Sequence, residues 1–162
     1  ICNDILYKKW SLALISKFLK VLLFLVIGVV FLACEKEVET GVAEVHWDRD
    51  MCSRCVMVIS DRKNTVQVKN PDTGKLYMFD DIGCMALWFE EEKIGWKDKA
   101  IVWITDVNNG EFIDAKKAFY DTNNVTPMAY GFSAHKTKET IKSGEEIISY
   151  DEVINRVLKI AK

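Results

Sequence analysis

Two thiols and two thioethers, from Met51, Cys52, Cys55 and Met57, fall within seven consecutive residues and constrain this chain more than any other stretch. A Cys-x-x-Cys turn brings both sulfurs towards one point. Thiolate and thioether are soft, polarisable donors, and together they suit Cu(I) better than other common biological metals. Residues 55–59 are rich in β-branched side chains and read as a strand. On a strand, alternation turns Cys55 and Met57 to the same face, with Cys52 in the turn before them. Arg54 beside the thiols favours thiolate over thiol.

Three chemistries stay open on these residues. Three sulfur donors in low-coordinate geometry satisfy Cu(I). The Cys52/Cys55 pair also suits a structural disulfide or an extracytoplasmic thiol-disulfide oxidoreductase. Redox pairs of that kind normally open a helix, whereas a β-branched run follows here. A structural zinc module would complete its ligands with Cys84 and either His46 or His135. The sequence holds no Ser/His/Asp set, no phosphate-binding glycine loop and no paired carboxylates with a cleft, which points to a binding protein and not to an enzyme.

The N-terminus places this chemistry outside the cytoplasm. Residues 1–20 carry Lys8, Lys9, Lys17 and Lys20 against one acid, Asp4, and residues 21–33 are a run of thirteen apolar or small residues. A basic region, a short apolar core and a small residue before the cut describe a secretory signal. The run is shorter than a spanning helix needs. Ala33-Cys34 resembles a bacterial lipobox, with Phe31 where Leu is usual. The expectation is a signal over residues 1–33, lipid on Cys34, a polar tether over 34–43 and a folded domain over 44–162. An uncleaved N-terminal anchor is the alternative, and it puts the domain on the same side of the membrane. Without residues 1–33 the net charge moves from −2 to about −5. An acidic domain of that size supports one core and argues against a nucleic-acid partner.

Along the domain, residues 42–47 and 55–59 read as strands. Residues 65–68 alternate as a strand with one wet face, and residues 76–79 form another. A helix is expected over 81–92, capped by Asp80 or Asp81, with Ile82, Met85, Ala86 and Phe89 on its buried face. A strand over 101–105 follows, giving β-β-β-α-β over residues 56–105. Asn108-Asn109-Gly110 is hairpin chemistry, followed by residues 111–114. Residues 115–120 suggest a helical turn, 126–132 a strand or tight loop, 137–142 a short helix and 145–149 an extended segment. Residues 150–161 form an amphipathic helix. The fold class is α+β, built from small ββαβ-type units, with a second half that suggests a reduced echo of the first.

Other donors are less specific. Cys84 lies beside buried-face helix residues and reads as a core thiol. Met128 follows Pro127 in an irregular segment with small neighbours, which leaves room for a ligand. His135 lies seven residues further on and could reach the same cleft.

The order of motifs resembles a known family. The lipobox precedes Cys52-Ser53-Arg54-Cys55-Val56-Met57-Val58-Ile59. Phe79-Asp80-Asp81-Ile82-Gly83-Cys84-Met85, Thr105-Asp106 and Thr126-Pro127-Met128-Ala129 follow. Together they are similar to NosL, the nitrous oxide reductase accessory lipoproteins, whose members carry Cys-Gly-Met where this chain has Cys55-Val56-Met57. The resemblance implies an α+β fold with ββα-type units related to those of an organomercurial lyase. It implies a copper chaperone that binds one Cu(I), works with a membrane transporter assembly and supplies a copper-receiving apo-enzyme, nitrous oxide reductase. Carried over by position, the metal ligands are Cys55, Met57 and Met128, with Cys52 as an extra upstream thiol and His135 as a further candidate.

Overall fold

The computed structural model describes residues 41–161. The expected signal, Cys34 and most of the tether lie outside the described residues. Two strands, β1 (Val66–Lys69) and β2 (Leu76–Phe79), pair antiparallel across a turn. Asn70 builds that turn: its side-chain oxygen accepts from the Asp72 and Thr73 amides at 2.8 and 3.2 Å. Helix α1 (Ile82–Glu91) follows at once, and β3 (Ile101–Thr105) returns on the free side of β1. This ββαβ unit is extended by β4 (Phe112–Asp114), giving an antiparallel sheet of order β2-β1-β3-β4. Strand β5 (Phe119–Asp121) and β6 (Ser133–His135) form a second, two-stranded sheet, and α2 (Tyr150–Ile160) ends the fold. The architecture is α+β with antiparallel sheets, as the sequence implies.

The register sets the core. Val66 lies opposite Phe79 and Ile104, and Val68 opposite Tyr77 and Val102. Their shared face is covered by α1, every residue of which from Ile82 to Phe89 is buried. The sequence shows only one apolar stripe on this helix. The sheet and α2 both contact it, so more than one face is covered. Helix α2 keeps its expected amphipathic character, with Val153 and Val157 fully buried and Ser149 capping its start.

Several local expectations are replaced. The expected wet face of β1 is buried, because the Gln67 side-chain amide on that face pairs with the backbone of Ala43. It accepts from the Ala43 amide at 3.0 Å and donates to the Ala43 carbonyl at 2.8 Å. Residues 42–47 therefore cover the sheet without forming a strand. Residues 115–120 make a turn and then enter β5, where Tyr120 buries its ring and donates its hydroxyl to the Ala115 carbonyl at 2.8 Å. Residues 126–132 are a tight loop, and 137–142 hold only a short 3-10 turn, Lys138–Thr140. Among the described residues, no helix is long and apolar enough to cross a membrane.

Candidate metal centre

Residues 55–59 are not a strand. They form the return arm of an irregular hairpin whose backbone groups pair locally. Ile59 donates to the Asp50 carbonyl at 2.8 Å, Cys52 to Met57 at 2.8 Å and Val56 to Cys52 at 3.0 Å. Strand alternation therefore does not place Cys55 and Met57. The loop does, and it is anchored to the open edge of β2. There the Ser53 amide donates to the Met78 carbonyl at 2.7 Å, and the Met78 amide donates to Ser53 Oγ at 3.3 Å. This contact also protects the edge strand.

The loop turns through Val56 at φ 62, with its side chain mostly exposed. A β-branched residue in the left-handed region is strained, by about 1–2 kcal/mol relative to a favourable conformation. Glycine adopts this conformation freely at a modest entropic cost in the unfolded chain. Val56→Gly is therefore expected to raise apo-protein stability by about 1 kcal/mol, read as a higher urea midpoint with an unchanged slope.

The anchored loop brings Cys52 and Cys55 against the junction of β2 and α1. Asp80 directly follows β2, and Cys84 lies in the first turn of α1. The ligand atoms of Cys52, Cys55, Asp80 and Cys84 all lie within 4.8 Å of one another. A tetrahedral ion with sulfur bonds of ~2.3 Å holds its sulfurs about 3.8 Å apart, so the donors close on a metal with small shifts. Cys52, Asp80 and Cys84 are buried, and Cys55 is half-buried towards the opening. Among the described residues all three cysteines are free thiols. Outside the sulfurs, Met51, Val56, Met57 and Val58 are all exposed.

Electrostatics divide the thiols. The Cys84 thiol donates to Cys52 and is the main reason that Cys52 is held well below the ordinary thiol range; the backbone around Cys55, Arg54 and Asp80 adds to this, against the cost of burial. Cys84 is correspondingly pushed far up, first by that same bond and then by burial. Cys55 is raised by burial. Asp80 is pushed up to about 6, by burial and then by the Cys52 charge. Its Oδ1 faces Cys55 Sγ at 3.7 Å. Arg54 is not the dominant charge partner that its sequence position suggests. Its guanidinium forks onto Glu91 at 2.9 and 2.7 Å and ties the loop to α1.

The remaining candidates have contacts of their own. Met57 is half-exposed on the hairpin. Met128 is partly buried, and its amide donates to Asp81 Oδ2 at 3.2 Å, next in sequence to Asp80. His135 is buried in a different polar cluster. Its Nδ1 contacts Thr140 Oγ1 at 3.0 Å and the Asn108 amide nitrogen at 3.3 Å. Its Nε2 faces Asp121 Oδ2 at 3.1 Å, off the hydrogen-bonding axis. His46 is exposed on the surface turn and pairs with Asp50. The sequence reading of Cys84 as a core thiol captures its burial and misses its sulfur's neighbours. Asp80 reads there only as a helix cap. The signal for both was the motif Phe79-Asp80-Asp81-Ile82-Gly83-Cys84, which sets a strand end and a helix start side by side.

Fold and site together define a small α+β protein with a buried thiol and carboxylate centre able to hold a metal. No protein-family model matches the sequence, and no curated protein matches it by sequence. Among solved structures, the chain is similar to the copper chaperone NosL from Shewanella denitrificans, with a TM-score of 0.55 and 16% identity. The match covers 68% of this chain and 94% of that one. The chain has a NosL-like fold.

Proposed function

We propose that this protein is an extracytoplasmic Cu(I)-binding chaperone, held at the membrane by lipid on Cys34. It delivers copper for maturation of nitrous oxide reductase or a related copper enzyme, working with a membrane transporter assembly. The observation that carries the reading is the convergence of the Cys52, Cys55 and Cys84 sulfurs behind a hairpin that carries Met57. Three thiols, joined by the thioether of Met57 or Met128, make a soft set, and low-coordinate sulfur is what Cu(I) takes. The fold, shared with a copper chaperone, supports the same reading. The domain over 44–162 carries the metal, and the segment before it carries the signal and tether.

Reduced protein is expected to hold one equivalent of Cu(I) against a moderate Cu(I) chelator. Cys55→Ser abolishes this retention, and Met57→Ala and Met128→Ala weaken it. Failure of the wild-type protein to compete would remove the reading. A zinc module is favoured by one observation, the carboxylate of Asp80 beside three thiols, which also makes a tetrahedral Zn(II) set. Metal analysis of protein purified without added metal separates the two, since a zinc module arrives loaded and unfolds on chelation.

A further inference from the structure

Residues 124–131 close on themselves next to the metal centre. The Asn124 amide donates to the Gly131 carbonyl at 3.1 Å, and the Ala129 amide to the Thr126 carbonyl at 3.0 Å. The Gly131 amide donates to Thr126 Oγ1 at 3.2 Å. One buried side chain fastens this loop to the centre. Asp81 Oδ2 accepts from Thr126 Oγ1 at 2.6 Å and from the Met128 amide at 3.2 Å. Its Oδ1 accepts from the Gly83 amide at 2.8 Å and caps α1. The loop lands on the same turn of helix: a Cβ on Gly83 would collide with the Tyr130 ring, so the ring rests directly on the backbone there.

A helix cap needs only the bond to Gly83. The two bonds to Thr126 and Met128 do something else. Asp80 and Asp81 are consecutive: one carboxylate faces the thiols and the other holds the Met128 loop. We propose that Asp81 is a positioning residue that presents Met128 to the thiol cluster and thereby sets the preference of the centre for Cu(I) over Zn(II). This rests on the Cu(I) reading above. Three thiolates with the Asp80 carboxylate make a set that Zn(II) accepts. A thioether added to those thiolates improves the site for Cu(I) and does little for Zn(II).

Two variants test it. Asp81→Asn alters the clasp and the cap together, whereas Thr126→Val removes one clasp bond and the Gly131 bond that closes the loop, and leaves the cap. Both are expected to lower Cu(I) affinity about tenfold in competition with a Cu(I) chelator, the scale on which outer contacts tune metal sites. Zn(II) affinity, read with a chromophoric Zn(II) chelator, is expected to stay unchanged. Thr126→Ser retains the hydroxyl and restores wild-type Cu(I) affinity. In a Met128→Ala background neither variant costs anything further. The Met128 methyl NMR signal shifts on Cu(I) addition in the wild type and does not shift in Thr126→Val. Parallel loss of Cu(I) and Zn(II) overturns the proposal, as does an undiminished loss in the Met128→Ala background. Wild-type retention of Cu(I) with both variants unchanged sinks this inference alone. No retention by the wild type sinks the Cu(I) reading and this inference with it.

Discussion

Replacing Cys84 with serine is expected to weaken Cu(I) binding by more than the roughly 10- to 100-fold that loss of an outer contact costs. The residue looks structural, since it is wholly buried in the first turn of α1. Its sulfur nevertheless lies within 4.8 Å of the Cys52 and Cys55 sulfurs and of an Asp80 oxygen. It also donates the hydrogen bond that does most to hold Cys52 as thiolate. Serine is close in size and keeps a donor for Cys52, so the fold is retained and the soft ligand is lost. Circular dichroism that matches the wild type, together with Cu(I) competition, separates these effects. Undiminished affinity in Cys84→Ser would restore the reading of Cys84 as a core thiol and leave Cys52 and Cys55 with thioethers as the metal set.

What the sequence made legible follows the range of the interactions involved. Strands β2 and β3 and helix α1 are visible because their signals are local: a short apolar run, a β-branched run and an Asp81 cap before apolar periodicity. The hairpin over residues 50–59 is not visible. Its β-branched residues satisfy strand propensity, but the backbone groups of Val56, Met57 and Ile59 pair with residues 48–52 and not with the sheet. Propensity reports which residues tolerate extension, and the pairing partner decides whether a strand forms. Gln67 hides in the same way. A polar residue at an alternating position reads as wet until Ala43 arrives to pair with its amide. At the site, Cys52 and Cys55 are legible from spacing alone. Cys84 and Asp80 join them only because Ser53 fastens the loop to the edge of β2, a contact that spans 25 residues.

Cu(I) binding is expected to release two protons per ion at neutral pH, and its affinity is expected to rise about a hundredfold per pH unit from about pH 7 to about pH 8. The sign follows from the state of each thiol in the apo-protein. Cys52 is held below the ordinary thiol range and is already a thiolate, so it releases nothing. Cys55 and Cys84 are held above that range and remain thiols, so each must lose a proton to bind metal. Higher pH therefore favours binding with a slope of two. On the acid side Asp80, pushed up to about 6, takes up a proton of its own. Below that point the slope steepens to three if its carboxylate touches the ion and stays at two if it does not. Affinity measured across this range, corrected for protonation of the competing chelator, gives the count. A slope of one at neutral pH means that one of the two neutral thiols is no ligand, and Cys84→Ser and Cys55→Ser identify which. A slope of three there means that Cys52 enters as a thiol, and the hydrogen bond from Cys84 would no longer account for the charge in this centre.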